Sequence, residues 1–135
     1  MTVRKGTIVA VTALALVGII AAASAQQPAF KRTVLQQGDI SVAGREAVTA
    51  LGEFPTGVSS GRHSHPGEEI GYVLEGTLKV EQDGKPAMTL EAGKTFLIPA
   101  GTIHNATNTG SGPARVLATY VVEKGKPLAT PAPAK

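Results

Sequence analysis

GVSSGRHSHPGEEIGYVLEG, Gly57 to Gly76, sets two histidines one residue apart, turns at Pro66-Gly67 and opens a new run on Glu68-Glu69. Side chains two apart in an extended chain point to the same side, so His63 and His65 aim at one region. Further on, GKTFLIPAGTIHNATN, Gly93 to Asn108, carries the third and last histidine of the chain, His104, just after the turn Pro99-Ala100-Gly101. Three imidazoles and a carboxylate drawn from separate strands form a mixed nitrogen/oxygen donor set. That set suits one divalent transition metal ion: Fe, Mn, Ni, Cu or Zn.

Around these stretches the chain reads as strand and turn. Gly76, Gly84, Gly93 and Gly101 recur every eight or nine residues, the spacing of a β-meander. Thr77-Leu78-Lys79-Val80-Glu81 alternates apolar and polar, which buries one face and wets the other. Asp83-Gly84 is a hairpin-turn signal. Val116 to Val122 is apolar on both faces and needs cover on both sides, from an arm or a second subunit. No helical apolar period of useful length occurs between Arg45 and Val122. The expected fold is an all-β barrel or sandwich of one domain, with a small core that a homodimer would support.

Composition sets limits on the rest. Cysteine is absent among 135 residues, which excludes disulfides, thiolate zinc sites and iron–sulfur clusters. Arg4 and Lys5 supply two of the 13 basic residues, so the remainder is close to neutral against 10 acidic ones. With aromatics at 4% and no Trp, the chain offers no nucleic-acid footprint. Arg4-Lys5, the apolar run Ile8 to Ala22 and the small triplet Ala23-Ser24-Ala25 are the three parts of a secretory signal peptide. Residues 1–25 are therefore expected to be removed before Gln26, giving a periplasmic or secreted protein without stable membrane insertion. Residues 26–44 read as an N-terminal arm, 45–122 as the barrel and 123–135, with Pro127, Pro131 and Pro133, as a disordered tail.

Gly57, His63, His65, Glu69 and Gly76 fall at the positions of the first cupin motif. Gly93, Pro99, Gly101, His104 and Asn108 fall at those of the second, with 16 residues between the two. The chain resembles a small single-domain, type-2-like cupin. The resemblance implies a double-stranded β-helix or jelly roll, often paired as a dimer, with His63, His65, Glu69 and His104 as metal ligands. Glu68 competes with Glu69 for the carboxylate role, because Pro66-Gly67 breaks the strand phase. The count to Gly76 favours Glu69. Asn108 is expected to make a strand-end hydrogen bond. Met88, Leu90, Phe96, Ile98, Val116, Ala118 and Tyr120 are candidates for the barrel wall.

Four protein ligands on an ion that prefers six leave two positions for a small anionic molecule. The resemblance implies a metal-dependent enzyme, a dioxygenase first and an isomerase or lyase second. The catalytic candidates are Glu68 and Tyr72, and Arg62 is a candidate to orient substrate or an edge residue at solvent. A non-catalytic cupin that binds a small ligand or a metal is the alternative.

Overall fold

In the computed structural model residues 28–135 are described, and they form ten strands with no helix. The expected leader, residues 1–25, lies outside the described residues. One sheet runs in the order β1-β2-β9-β4-β7: β1 is Lys31–Asp39, β2 Arg45–Phe54, β9 Ala114–Glu123, β4 Gly67–Glu75 and β7 Thr95–Ile98. The other runs β10-β3-β8-β5-β6: β10 is Thr130–Pro131, β3 His63–Ser64, β8 His104–Asn108, β5 Thr77–Gln82 and β6 Met88–Glu91. Every pairing is antiparallel.

The alternation seen in the sequence is the inside–outside pattern of these strands. Val48, Ala50 and Phe54 of β2, Val73 of β4 and Leu78 and Val80 of β5 are buried in one core between the sheets. Phe96, Ile98, Val116, Ala118 and Tyr120 join them, and Met88 and Leu90 pack against its margin. On β9 the inner residues are buried while Leu117, Thr119 and Val121 on its other face are half-buried.

Gly76 shows why the motif glycines stand where they do. Its φ is +79°, and a Cβ there would lie 2.5 Å from the Pro113 carbonyl oxygen, so both the conformation and the space exclude a side chain. Asn108 makes the expected strand-end bonds. Its Nδ2 donates to the carbonyls of Phe54 and Gly112 at 2.9 and 2.8 Å, and its Oδ1 accepts from Gly110 N.

Two expectations are corrected. The arm of residues 26–44 contains β1, which pairs with β2 from Lys31↔Glu53 to Asp39↔Glu46. Its strand carries no apolar period because main-chain bonds hold it to β2 while most of its side chains face solvent. The tail of residues 123–135 is not disordered. Glu123 ends β9, Leu128 packs against the core, and Thr130–Pro131 pair with Ser64 and His63 as the edge strand β10. Proline is tolerated on a sheet edge because its missing N–H has no ladder partner to lose. Arg62 fastens this segment. Its carbonyl accepts from Ala132 N at 2.9 Å, its Nε donates to the Pro133 carbonyl at 2.8 Å, and its fork pairs with Asp83 at 2.9 and 2.8 Å.

Candidate metal centre

His63 of β3 lies across from His104 of β8 in the second sheet. His65 follows in the link to β4, and Glu69 of β4 faces inward from the first sheet, beside Ile98 and Tyr120. All four side chains are buried, and one donor atom from each falls within 4.8 Å of the others. The sequence separates His104 from Glu69 by 35 positions; the two sheets close that distance to 3.0 Å.

Main-chain carbonyls fix how the rings face. Nδ1 of His63 donates to Gly61 O at 2.7 Å, Nδ1 of His65 to Leu128 O at 2.6 Å and Nδ1 of His104 to Thr102 O at 2.8 Å. A carbonyl only accepts, so each Nδ1 carries a proton and each ring turns its Nε2 inward. Nε2 of His104 and of His65 both lie 3.0 Å from the same Glu69 oxygen, Oε2. The His65 contact is too poorly aligned to be a hydrogen bond, which leaves that buried Nε2 without a partner. Buried imidazole nitrogens clustered on one carboxylate oxygen need positive charge among them, as protons or as a cation. The donor set therefore fits a divalent cation, and His63, His65, Glu69 and His104 are the residues that can bind one.

Two of the four donors have shifted acidities. Burial pulls the His63 imidazole down to about 4 against the opposing Gly61 hydrogen bond, with smaller lowering from the neighbouring His104, His65 and Arg32. Burial alone would raise the Glu69 carboxyl, but contacts from His104 and His65 overcome it and hold the group at about 2. Near neutral pH the pair is a neutral imidazole and an ionised carboxylate, both in ligating form.

The structure separates the two competing glutamates. β4 starts at Gly67 and buries Gly67, Glu69, Gly71 and Val73 on one face. Glu68 and Tyr72 therefore lie on the other face, Tyr72 at 45% exposure, and neither reaches the cavity as a catalytic group. Arg62 is likewise committed to Asp83 and the C-terminal segment. The cavity has a volume of about 30 Å³ and is lined by His63, Glu69 and His104, by Arg32 and Ser60, by Phe96, Val116, Ala118 and Tyr120 of the expected wall, and by other apolar groups. Burial, followed by the nearby Glu69 charge, pushes the Tyr120 phenol above its ordinary value, so it is neutral there. Among the participants missed from sequence are Phe30 and Arg32 in the lining and Leu128 behind His65. These three sit in the segments read as arm and tail; a Phe30-x-Arg32 parity pair was the one signal available.

The family model "Cupin domain" matches residues 50–120. Germin-like protein 1-1 of Oryza sativa subsp. japonica is 36% identical over 73 residues, 50% of this chain and 34% of the relative. The HTH-type transcriptional regulator PuuR of Escherichia coli (strain K12) is 35% identical over 68 residues, 50% of this chain and 36% of the relative. The chain thus spans about a third of the length of these curated relatives. Among solved structures, a recombinant oxalate oxidase in complex with glycolate superposes with a TM-score of 0.62 at 25% identity, over 76% of this chain and 54% of that one. With its two antiparallel sheets, its inward histidines and a match over more than half its length, the chain belongs to the cupin domain family.

Proposed function

We propose that the protein is a metal-dependent enzyme of oxygenase type acting on a small anionic molecule. The observation that carries this reading is the convergence of four buried donors, three of which line a largely apolar cavity. The likeness to an oxalate oxidase supports it. A divalent transition ion held there supplies Lewis acidity and, if it is Fe, Mn or Cu, a route for electrons between a bound anion and O₂.

The chain's own residues do the remaining work. The three backbone-anchored imidazoles hold the donor geometry, the Glu69 carboxylate lowers the local positive charge, and the apolar lining excludes bulk water. Elemental analysis of protein from its native source, followed by O₂ uptake with a panel of small anions, tests the proposal. Iron, manganese or copper with substrate-dependent uptake supports it. Zinc without uptake or turnover overturns it.

A second reading, a non-catalytic ligand-binding cupin, is favoured by one specific feature. Apart from the donors, the polar lining consists of Arg32, Ser60 and the neutral phenol of Tyr120, with no free carboxylate or imidazole to act as base. PuuR, a transcriptional regulator by name, is among the relatives. An isomerase or lyase would need a base from solvent or from the ion's shell.

Export with loss of residues 1–25 belongs to the same proposal. So does a homodimer. Its proposed contact is the outer face of the first sheet, where Ile70, Tyr72, Leu74 and Leu97 are 49%, 45%, 42% and 55% exposed.

A further inference from the structure

We propose that Arg32 is the carboxylate-recognition residue of this site, selecting ligands that carry one carboxylate for its guanidinium and a second oxygen donor for the cation. The proposal rests on the metal reading above and names its ligand class: short dicarboxylates and α-hydroxy or α-keto acids. Arg32 belongs to β1, outside the segment matched by the family model.

The guanidinium stands at the candidate centre with little to hold it. Its Nη2 lies 3.4 Å from His63 Nε2, at the long limit of a hydrogen bond. Its central carbon is 5.2 Å from the Phe30 ring centroid and 5.6 Å from that of Tyr120. Its Nε is buried and has no partner. The ion pairs formed among the described residues join other groups. A guanidinium keeps its charge at any physiological pH and carries five donors in a planar fork. Facing an apolar cavity with an orphaned donor, it is matched by a planar anion.

The cation sharpens the requirement. The His63 Nε2 lone pair that Arg32 approaches is the one a metal would take, so loading the site removes that acceptor from the guanidinium. A divalent ion and a guanidinium would then face the same space with only the Glu69 carboxylate to offset them, leaving two positive charges uncompensated. A ligand that reaches both groups removes that excess. The cavity, about 30 Å³, limits such a ligand to a few heavy atoms.

The test uses full-length Co(II)-loaded protein, with the cobalt absorption spectrum and calorimetry as readouts. Malonate and lactate are titrated against lactamide, which keeps the hydroxyl and loses the charge. Wild type is expected to bind both carboxylates saturably and at least about 10-fold more tightly than lactamide. Arg32→Met keeps an apolar stem, and its Co(II) affinity is expected to equal or exceed that of wild type, because a neighbouring positive charge is removed. Its carboxylate affinity is expected to fall about 10- to 100-fold, the range of a lost charge-assisted pair, with lactamide unchanged. Arg32→Lys should recover part of the loss. Undiminished carboxylate binding by Co(II)-loaded Arg32→Met would overturn the role of Arg32 and leave the metal centre standing. Failure of wild type to take up Co(II) would overturn the metal reading and this proposal together.

Discussion

The Leu128 carbonyl oxygen accepts the His65 Nδ1 proton at 2.6 Å, so a residue of the C-terminal segment sets the tautomer of a ring 63 positions earlier. β10 and the Arg62–Asp83 fork hold that carbonyl in place. Backbone partners behind a ligating imidazole orient it and raise its basicity. Truncation after Glu123 is therefore expected to lower metal affinity about 10- to 100-fold while leaving the β-sheet circular dichroism largely intact. Metal titration of the truncated protein checks this, and unchanged affinity would show that His65 needs no such support.

Substitution separates the two adjacent glutamates. Glu69→Gln replaces an inward carboxylate at the centre, whereas Glu68→Gln changes a group on the other face of β4. Glu69→Gln is expected to weaken Co(II) binding by more than about 100-fold, beyond the range of a supporting contact. Glu68→Gln should bind as wild type does. The reverse order in a competition titration would mean that β4 is registered one residue away from the arrangement described.

How far the sequence carries is visible at these same residues. Motif spacing located all four donors, because turn glycines and strand parity are local properties. Spacing to Gly76 favoured Glu69, but parity alone left Glu68 open, since the phase of β4 depends on where pairing resumes after Pro66. It resumes at Gly67, opposite Val122. Arg32 and Leu128 were out of reach. Each lies in a segment whose order comes from long-range main-chain pairing, β1 on β2 and β10 on β3, which leaves no apolar period in its own sequence.

Acid is expected to destabilise the metal-free protein in two successive windows. The folded His63 value is lowered from 6.5 to about 4, so between those pH values the unfolded chain binds the proton and the folded chain does not. Stability is thus fully present above pH 6.5 and declines as pH falls toward 4. The folded Glu69 value is lowered from 4.5 to about 2, so its contribution is present above pH 4.5 and is lost as pH falls toward 2. Melting temperature against pH should slope down through both windows. His63→Asn should flatten the upper window only, and a wild-type curve flat from pH 6.5 to 4 would contradict the buried neutral imidazole.

Ile70 and Leu97 are register partners on the outer face of β4 and β7, 49% and 55% exposed. If that face meets its symmetry mate, each substitution is applied twice at one contact. The double variant Ile70→Lys/Leu97→Lys is expected to sediment as a monomer where wild type sediments as a dimer, with metal binding retained. A monomeric wild type at micromolar concentration would remove the interface.

Gly71 and Phe96 test the packing under the site. They are register partners on β4 and β7, and a Cβ on Gly71 would lie 2.1 Å from the Phe96 ring. The ring covers the glycine and lines the cavity on its other side. Gly71→Ala must push the ring off its position or bend the strand, at a cost of about 1–3 kcal/mol. Because Glu69 is two residues away on the same inward face, strand bending would also lower metal affinity, whereas ring displacement would not. Adding Phe96→Leu frees the space and should recover most of the lost stability. If the double variant melts no higher than Gly71→Ala alone, the loss comes from the backbone of β4, and metal affinity should then have fallen with it.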